Sequence, residues 1–133
     1  MIADVLSSFR ELCDEVACAY MPTLGEDELE PLYEGVLNFL IAHPAEKSLL
    51  AQQLIVVMGK YRTSREASRS LLPCTAISYC MHELRWPEVY AFAEKENADH
   101  YSKKQETLML SVLAAYAEDW EDRDFYRRFR AGS

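Results

Sequence analysis

The sequence predicts an all-α protein, a single domain over residues 1–133 built as one compact bundle of about seven or eight helices packed antiparallel or orthogonally. Three observations carry that expectation. Apolar residues recur at helical spacing through most of the chain, proline and capping patterns cut the stripes into helix-length pieces, and no stretch alternates in the manner of a strand. Composition agrees: 133 residues, 50% of them hydrophobic, can bury one sizeable core, while five prolines and four glycines are too few for a disordered chain or a sandwich with many tight turns.

The first stripe is Ile2, Val5, Leu6, Phe9, Leu12, Cys13, Val16, Ala17 and Tyr20, one face of a helix. Met21, Pro22 and Gly25 break it. A second runs through Leu29, Leu32, Tyr33, Val36, Leu37, Leu40 and Ile41, with Pro31 expected in its first turn, where a missing N–H costs nothing. Acidic residues near that start suit the helix dipole. His43-Pro44 ends the second helix and opens a third through Leu49, Leu50, Leu54, Val57, Met58 and Tyr61. Its segment Leu54 to Met58 is apolar on every side, which predicts a central helix walled in by its neighbours. Thr63 and Glu66 fit a capping box for a short helix that Pro73 must kink or stop. The next face comprises Ala76, Ile77, Cys80, Met81 and Leu84, with Thr75, Tyr79, His82 and Glu83 largely on others. Trp86-Pro87 is a boundary, because a residue before proline avoids the α region. Val89, Phe92 and Ala93 mark the helix after it. Ser102 and Gln105 form a second capping box ahead of Leu108, Met109, Val112, Leu113 and Tyr116, and Phe125, Tyr126 and Phe129 suggest a last short helix.

The formal net charge is −8, and it is unevenly spread. Residues 1–46 hold one basic and ten acidic groups, residues 47–93 six and three, and residues 94–133 seven and nine. An acidic balance disfavours nucleic acid, whose phosphates require clustered Lys and Arg, and favours a basic macromolecule as partner. The acidic start is the opposite of a signal peptide. The longest apolar run, Leu54 to Met58, is far short of the ~20 residues a membrane span needs. A cytoplasmic location is expected. Cys13, Cys18, Cys74 and Cys80 match neither CxxC redox chemistry nor zinc-finger spacing and read as reduced thiols.

No hydrolase elbow, phosphate-cradling glycine loop or HExxH metal motif is present, so no catalytic residue, cofactor or metal ligand is assigned. Glu96 and His100 together would supply only two ligands. Cys80 and His82 are a nucleophile and base in type only, since positions two apart on a helix point about 200° apart. Two compositions suit a protein interface instead. One is the acidic and aromatic stretch Asp119, Trp120, Glu121, Asp122 and Asp124, with Trp86 and Tyr90 as a second aromatic cluster; the other is the acidic patch Glu26, Asp27, Glu28 and Glu30. Tryptophan and tyrosine give large contact area at small entropic cost, and the carboxylates would pair with Lys or Arg of a partner.

The segments Tyr79-Cys80-Met81-His82-Glu83-Leu84-Arg85-Trp86-Pro87-Glu88-Val89 and Asp119-Trp120-Glu121-Asp122-Arg123-Asp124-Phe125-Tyr126 resemble small helical immunity proteins of bacterial toxin systems, the inhibitors encoded beside contact-dependent or Rhs-type toxins. The resemblance covers the second half of the chain, residues 79–126. It implies a cytoplasmic, non-enzymatic protein that binds a toxin domain, frequently a basic nuclease, and occludes it. Two alternatives stand beside it: a helical adaptor that binds another protein through an apolar groove, and a small metal or thiol enzyme using His82, His100 or Cys80.

Overall fold

The computed structural model describes residues 2–20, 25–63, 72–99, 103–120 and 126–129, with backbone alone at 2, 3, 26, 61–63, 99 and 103–108. These residues form six α-helices: α1 (Ile2–Ala19), α2 (Glu26–Ala42), α3 (Lys47–Thr63), α4 (Cys74–Leu84), α5 (Pro87–Asp99) and α6 (Lys103–Ala114), with a 3₁₀ turn at Pro44–Glu46 between α2 and α3. The all-helical class is as expected. The number is smaller than seven or eight for two reasons. The helix opened by Thr63 falls on residues 64–71, outside the described residues, and Thr63 itself ends α3. Pro44, expected to open the third helix, starts a 3₁₀ turn that runs straight into α3, which leaves the number unchanged. Tyr126–Phe129 is a single turn closed by the Phe129 N–H on the Tyr126 carbonyl at 3.2 Å. Ser102 and Phe125 also lie outside the described residues.

Helix α1 turns Phe9, Val16 and Ala17 into the core, the stripe its spacing predicts. In α2 the core face is Leu29, Tyr33, Val36, Leu37 and Leu40, but Ile41 leaves it and is 47% exposed. Pro31 also departs from expectation. Gly25 caps α2, its carbonyl accepting the N–H groups of Glu28 and Leu29, so the helix begins five residues before Pro31 and the proline lies in the second turn. The ring is tolerated because it faces solvent, where water replaces the missing donor.

The central helix is α4. Eight of its eleven residues are buried, with α2 and α6 packed against it. Helix α3 is one-sided instead, burying Leu50, Ala51, Leu54 and Met58 while Val56 stands 47% exposed. Local hydrophobicity misleads here because α4 buries polar side chains whose partners lie elsewhere in the chain. Ser78 Oγ lies 3.4 Å from Ser111 Oγ, the Tyr79 hydroxyl donates to Glu30 Oε2 at 2.8 Å, and His82 Nδ1 lies 2.7 Å from the Ala115 carbonyl. A carbonyl only accepts, so Nδ1 carries the proton. Each buried polar group is thereby satisfied, the condition for keeping it inside.

Arg85 ends α4 in the left-handed conformation, φ 51°, with its N–H on the Met81 carbonyl at 2.8 Å. Pro87 then opens α5, as the Trp86-Pro87 boundary predicts. Helix α6 packs on α4 and α5, α3 packs on α5, and α1 lies across α2 and α3. A left-handed φ costs a side-chain-bearing residue on the order of 1 kcal/mol. Arg85→Gly is therefore expected to raise stability by about 0.5–1 kcal/mol in urea unfolding, with unchanged cooperativity.

Candidate partner-binding surface

Two of the three expected aromatic anchors are not on the surface. Trp86 is 6% and Trp120 is 5% exposed. The Trp86 ring lies under the Lys47 ammonium, 5.8 Å from its centroid, and its carbonyl accepts the Tyr116 hydroxyl at 2.7 Å. Trp120 stacks on Tyr126 at 5.9 Å and sits 4.9 Å from the His82 ring. It is enclosed because the turn Tyr126–Phe129 folds back over α4, where Tyr126 and Phe129 both lie 4.9 Å from Tyr79. Tyr90 is the anchor that remains accessible: it is 38% exposed, its ring edge-on to Tyr116 at 4.9 Å.

Glu30 is a second correction. It is 3% exposed, not part of an acidic surface patch. Its Oε1 accepts the Arg127 N–H at 2.7 Å, and its Oε2 accepts the Arg128 N–H at 3.1 Å and the Tyr79 hydroxyl at 2.8 Å. A carboxylate from α2 thus holds a turn almost a hundred residues later in the chain. The Arg128 guanidinium grips Glu83 on α4, with Nε and Nη2 both donating to Oε1 at 3.1 and 2.9 Å. The clue was present in the spacing, since Glu30, Tyr33, Leu37 and Leu40 follow the same three- and four-residue steps as the buried stripe.

The other proposed carboxylates divide plainly. Asp27, Glu28 and Asp119 are exposed, whereas Glu121, Asp122, Asp124 and the Glu26 side chain lie outside the described residues. On α1, Asp4, Glu11, Asp14 and Glu15 are all exposed. At 100° per residue they fall within a sector of about 100°, opposite the buried Phe9 and Val16. Helices α1 and α2 pack together, so these carboxylates and those of Asp27 and Glu28 are carried on neighbouring helices.

All four cysteines are free thiols, Cys74 and Cys80 buried, Cys13 half-buried and Cys18 exposed. Burial, with a smaller contribution from Asp14, pushes the Cys13 thiol up to about 12. Burial likewise raises the Cys80 thiol and the Tyr79 and Tyr116 hydroxyls, Tyr79 further through its bond to Glu30. Cys80 and His82 both lie in the interior, His82 engaged by Ala115. Among the described residues no three His, Cys, Asp or Glu side chains are grouped to hold a metal ion, and no helix is long and apolar enough to cross a membrane. His100 lies outside the described residues. The chain matches no protein-family model, no curated protein and no solved structure.

Removing the Glu30 side chain strands two backbone N–H groups and a buried hydroxyl. Glu30→Ala is expected to cost on the order of 3 kcal/mol in denaturant unfolding, and Tyr79→Phe only about 1 kcal/mol. The thiols give a pH signature. Cys13 keeps its proton in the folded state above its ordinary value of 9.0, so the unfolded chain binds fewer protons there and stability falls as pH rises from 9 toward 12. Cys13→Ser is expected to flatten that fall in urea midpoints measured across the range. At pH 8, iodoacetamide followed by mass spectrometry is expected to modify Cys18 first and Cys74 and Cys80 only on unfolding.

Proposed function

We propose that this protein is an immunity-type inhibitor that neutralises a cognate bacterial toxin domain by binding it, performing no reaction itself and presenting carboxylates to a cationic partner surface. The observation that carries this reading is the single-sign stripe of Asp4, Glu11, Asp14 and Glu15 on α1, beside Asp27 and Glu28 on α2. In the first 46 residues only Arg10 is basic, so no array of cations interrupts the stripe. Such a surface raises the rate of encounter with a basic domain, and its carboxylates stand in for the phosphates a basic nuclease would bind. Among the described residues, Tyr90 and Asp119 are the accessible members of the acidic and aromatic patch. Trp86, Trp120 and Glu30 contribute through the fold rather than by contact. The similarity of residues 79–126 to toxin-immunity proteins supports the same reading, with a cytoplasmic site of action.

The test uses the toxin domain encoded beside this chain's gene, with association followed by surface plasmon resonance. Association is expected to slow steeply between low and high ionic strength. Neutralising Glu11, Asp14 and Glu15 together, to Gln, Asn and Gln, is expected to lower the association rate about tenfold at low salt while leaving the folded spectrum unchanged. An association rate insensitive to both changes would overturn the acidic-surface reading in favour of an adaptor that docks through apolar contacts.

A further inference from the structure

The turn Tyr126–Phe129 is held in the manner of a bound ligand. Its two aromatic side chains, three positions apart, enter one groove: Tyr126 lies among Tyr33, Tyr79 and Trp120, and Phe129 among Tyr79, His82 and Trp120. Between them the buried carboxylate of Glu30 accepts the N–H groups of Arg127 and Arg128, while Glu83 accepts from the Arg128 guanidinium. Apart from Trp120, every one of these groove residues comes from α2 or α4. Aromatic anchors at i and i+3, with an arginine between them, are the means by which a helical segment of one protein docks into a groove of another. Whatever takes the place of the turn must bring two successive N–H groups, because Glu30 left unpaired in the interior carries its full desolvation cost. Exposed Glu28 and Glu83 and half-buried Glu34, one helical turn after Glu30, favour a cationic segment.

We propose that this groove between α2 and α4 is a peptide-recognition site, filled in the resting protein by the chain's own C-terminal turn, and that it accepts from a basic partner protein a short segment of the pattern aromatic, any residue, arginine, aromatic. A second copy of the chain carries that pattern too, but two molecules of net charge −8 repel each other. The chain's own turn is tethered five residues from Trp120 and meets the groove at an effective concentration on the order of millimolar, so a free segment competes poorly with it. A segment carried by a protein already resting on the acidic residues of α2 gains an effective concentration of its own and competes on closer terms. The inference does not require that partner to be a toxin, and it stands or falls separately from that reading.

The experiment is a ¹H–¹⁵N NMR titration of the full chain with two end-blocked peptides of equal charge and composition, Tyr-Arg-Arg-Phe and the permuted Arg-Tyr-Phe-Arg. The first is expected to displace the turn, seen as saturable shifts of the Arg127 and Arg128 amides, and the permuted peptide to bind about tenfold more weakly, since its aromatic side chains are no longer three positions apart. Phe129→Ala, which empties one aromatic socket of the competing turn, is expected to tighten the first peptide by about tenfold or more. Arg128→Gln removes only a partly exposed ion pair, leaves the fold intact even where Phe129→Ala does not, and is expected to tighten it about threefold. Absence of saturable shifts at Arg127 and Arg128 in the unaltered chain and both variants, equal binding of the permuted peptide, or an affinity indifferent to both substitutions would each overturn the proposal. Dimerisation of the free chain accompanied by the same amide shifts would assign the groove to a second copy and would overturn it as well.

Discussion

The structure depends on one buried carboxylate. Glu30 cannot be withdrawn from water as an isolated charge, since the desolvation cost would exceed what its neighbours' packing returns. It is tolerated because three donors converge on it, one from α4 and two from the backbone at 127 and 128. That requirement fixes α2 beside α4 and brings the C-terminal turn onto both. Tyr126 and Phe129 then close over Tyr79 and His82, and Trp120 becomes interior as a consequence. Hydrogen bonding to a charged acceptor is about twice as strong as between neutral groups, which suits this contact to anchoring a short turn.

The same contact decides which side chains remain available to a partner. With the indoles enclosed, what α1 offers outward is chiefly negative charge, on the side that faces away from the core. Electrostatic surfaces of this kind govern encounter rate and orientation more than they add to the strength of a formed complex. An inhibitor relying on them would need apolar contact elsewhere, and exposed Tyr90, with its ring braced by Tyr116, is one such residue.

The sequence was legible wherever a local rule sufficed. The α1 stripe and the break at Trp86-Pro87 follow from spacing and proline sterics, both of which act within a few residues. It was misleading where burial depends on a distant partner. Leu54 to Met58 reads as the most enclosed stretch, yet Val56 faces outward because α3 packs on one side only. Tyr79 and His82 fall largely off the face of Ala76, Ile77, Cys80, Met81 and Leu84, yet both are interior because Glu30 and Ala115 satisfy them. Glu30 itself carried a usable sign, its place in the apolar register, which its charge obscured.

By itself the chain determined its class, most of its helix boundaries and the acidic weighting of its first third, because periodicity, proline geometry and net charge are properties of neighbouring residues. Only the tertiary structure decided which helix is central, which carboxylate is buried and that both tryptophans are interior. Those outcomes turn on pairings across 30 to 98 positions, and a polar group's burial is settled by whether such a partner arrives, which no local pattern encodes.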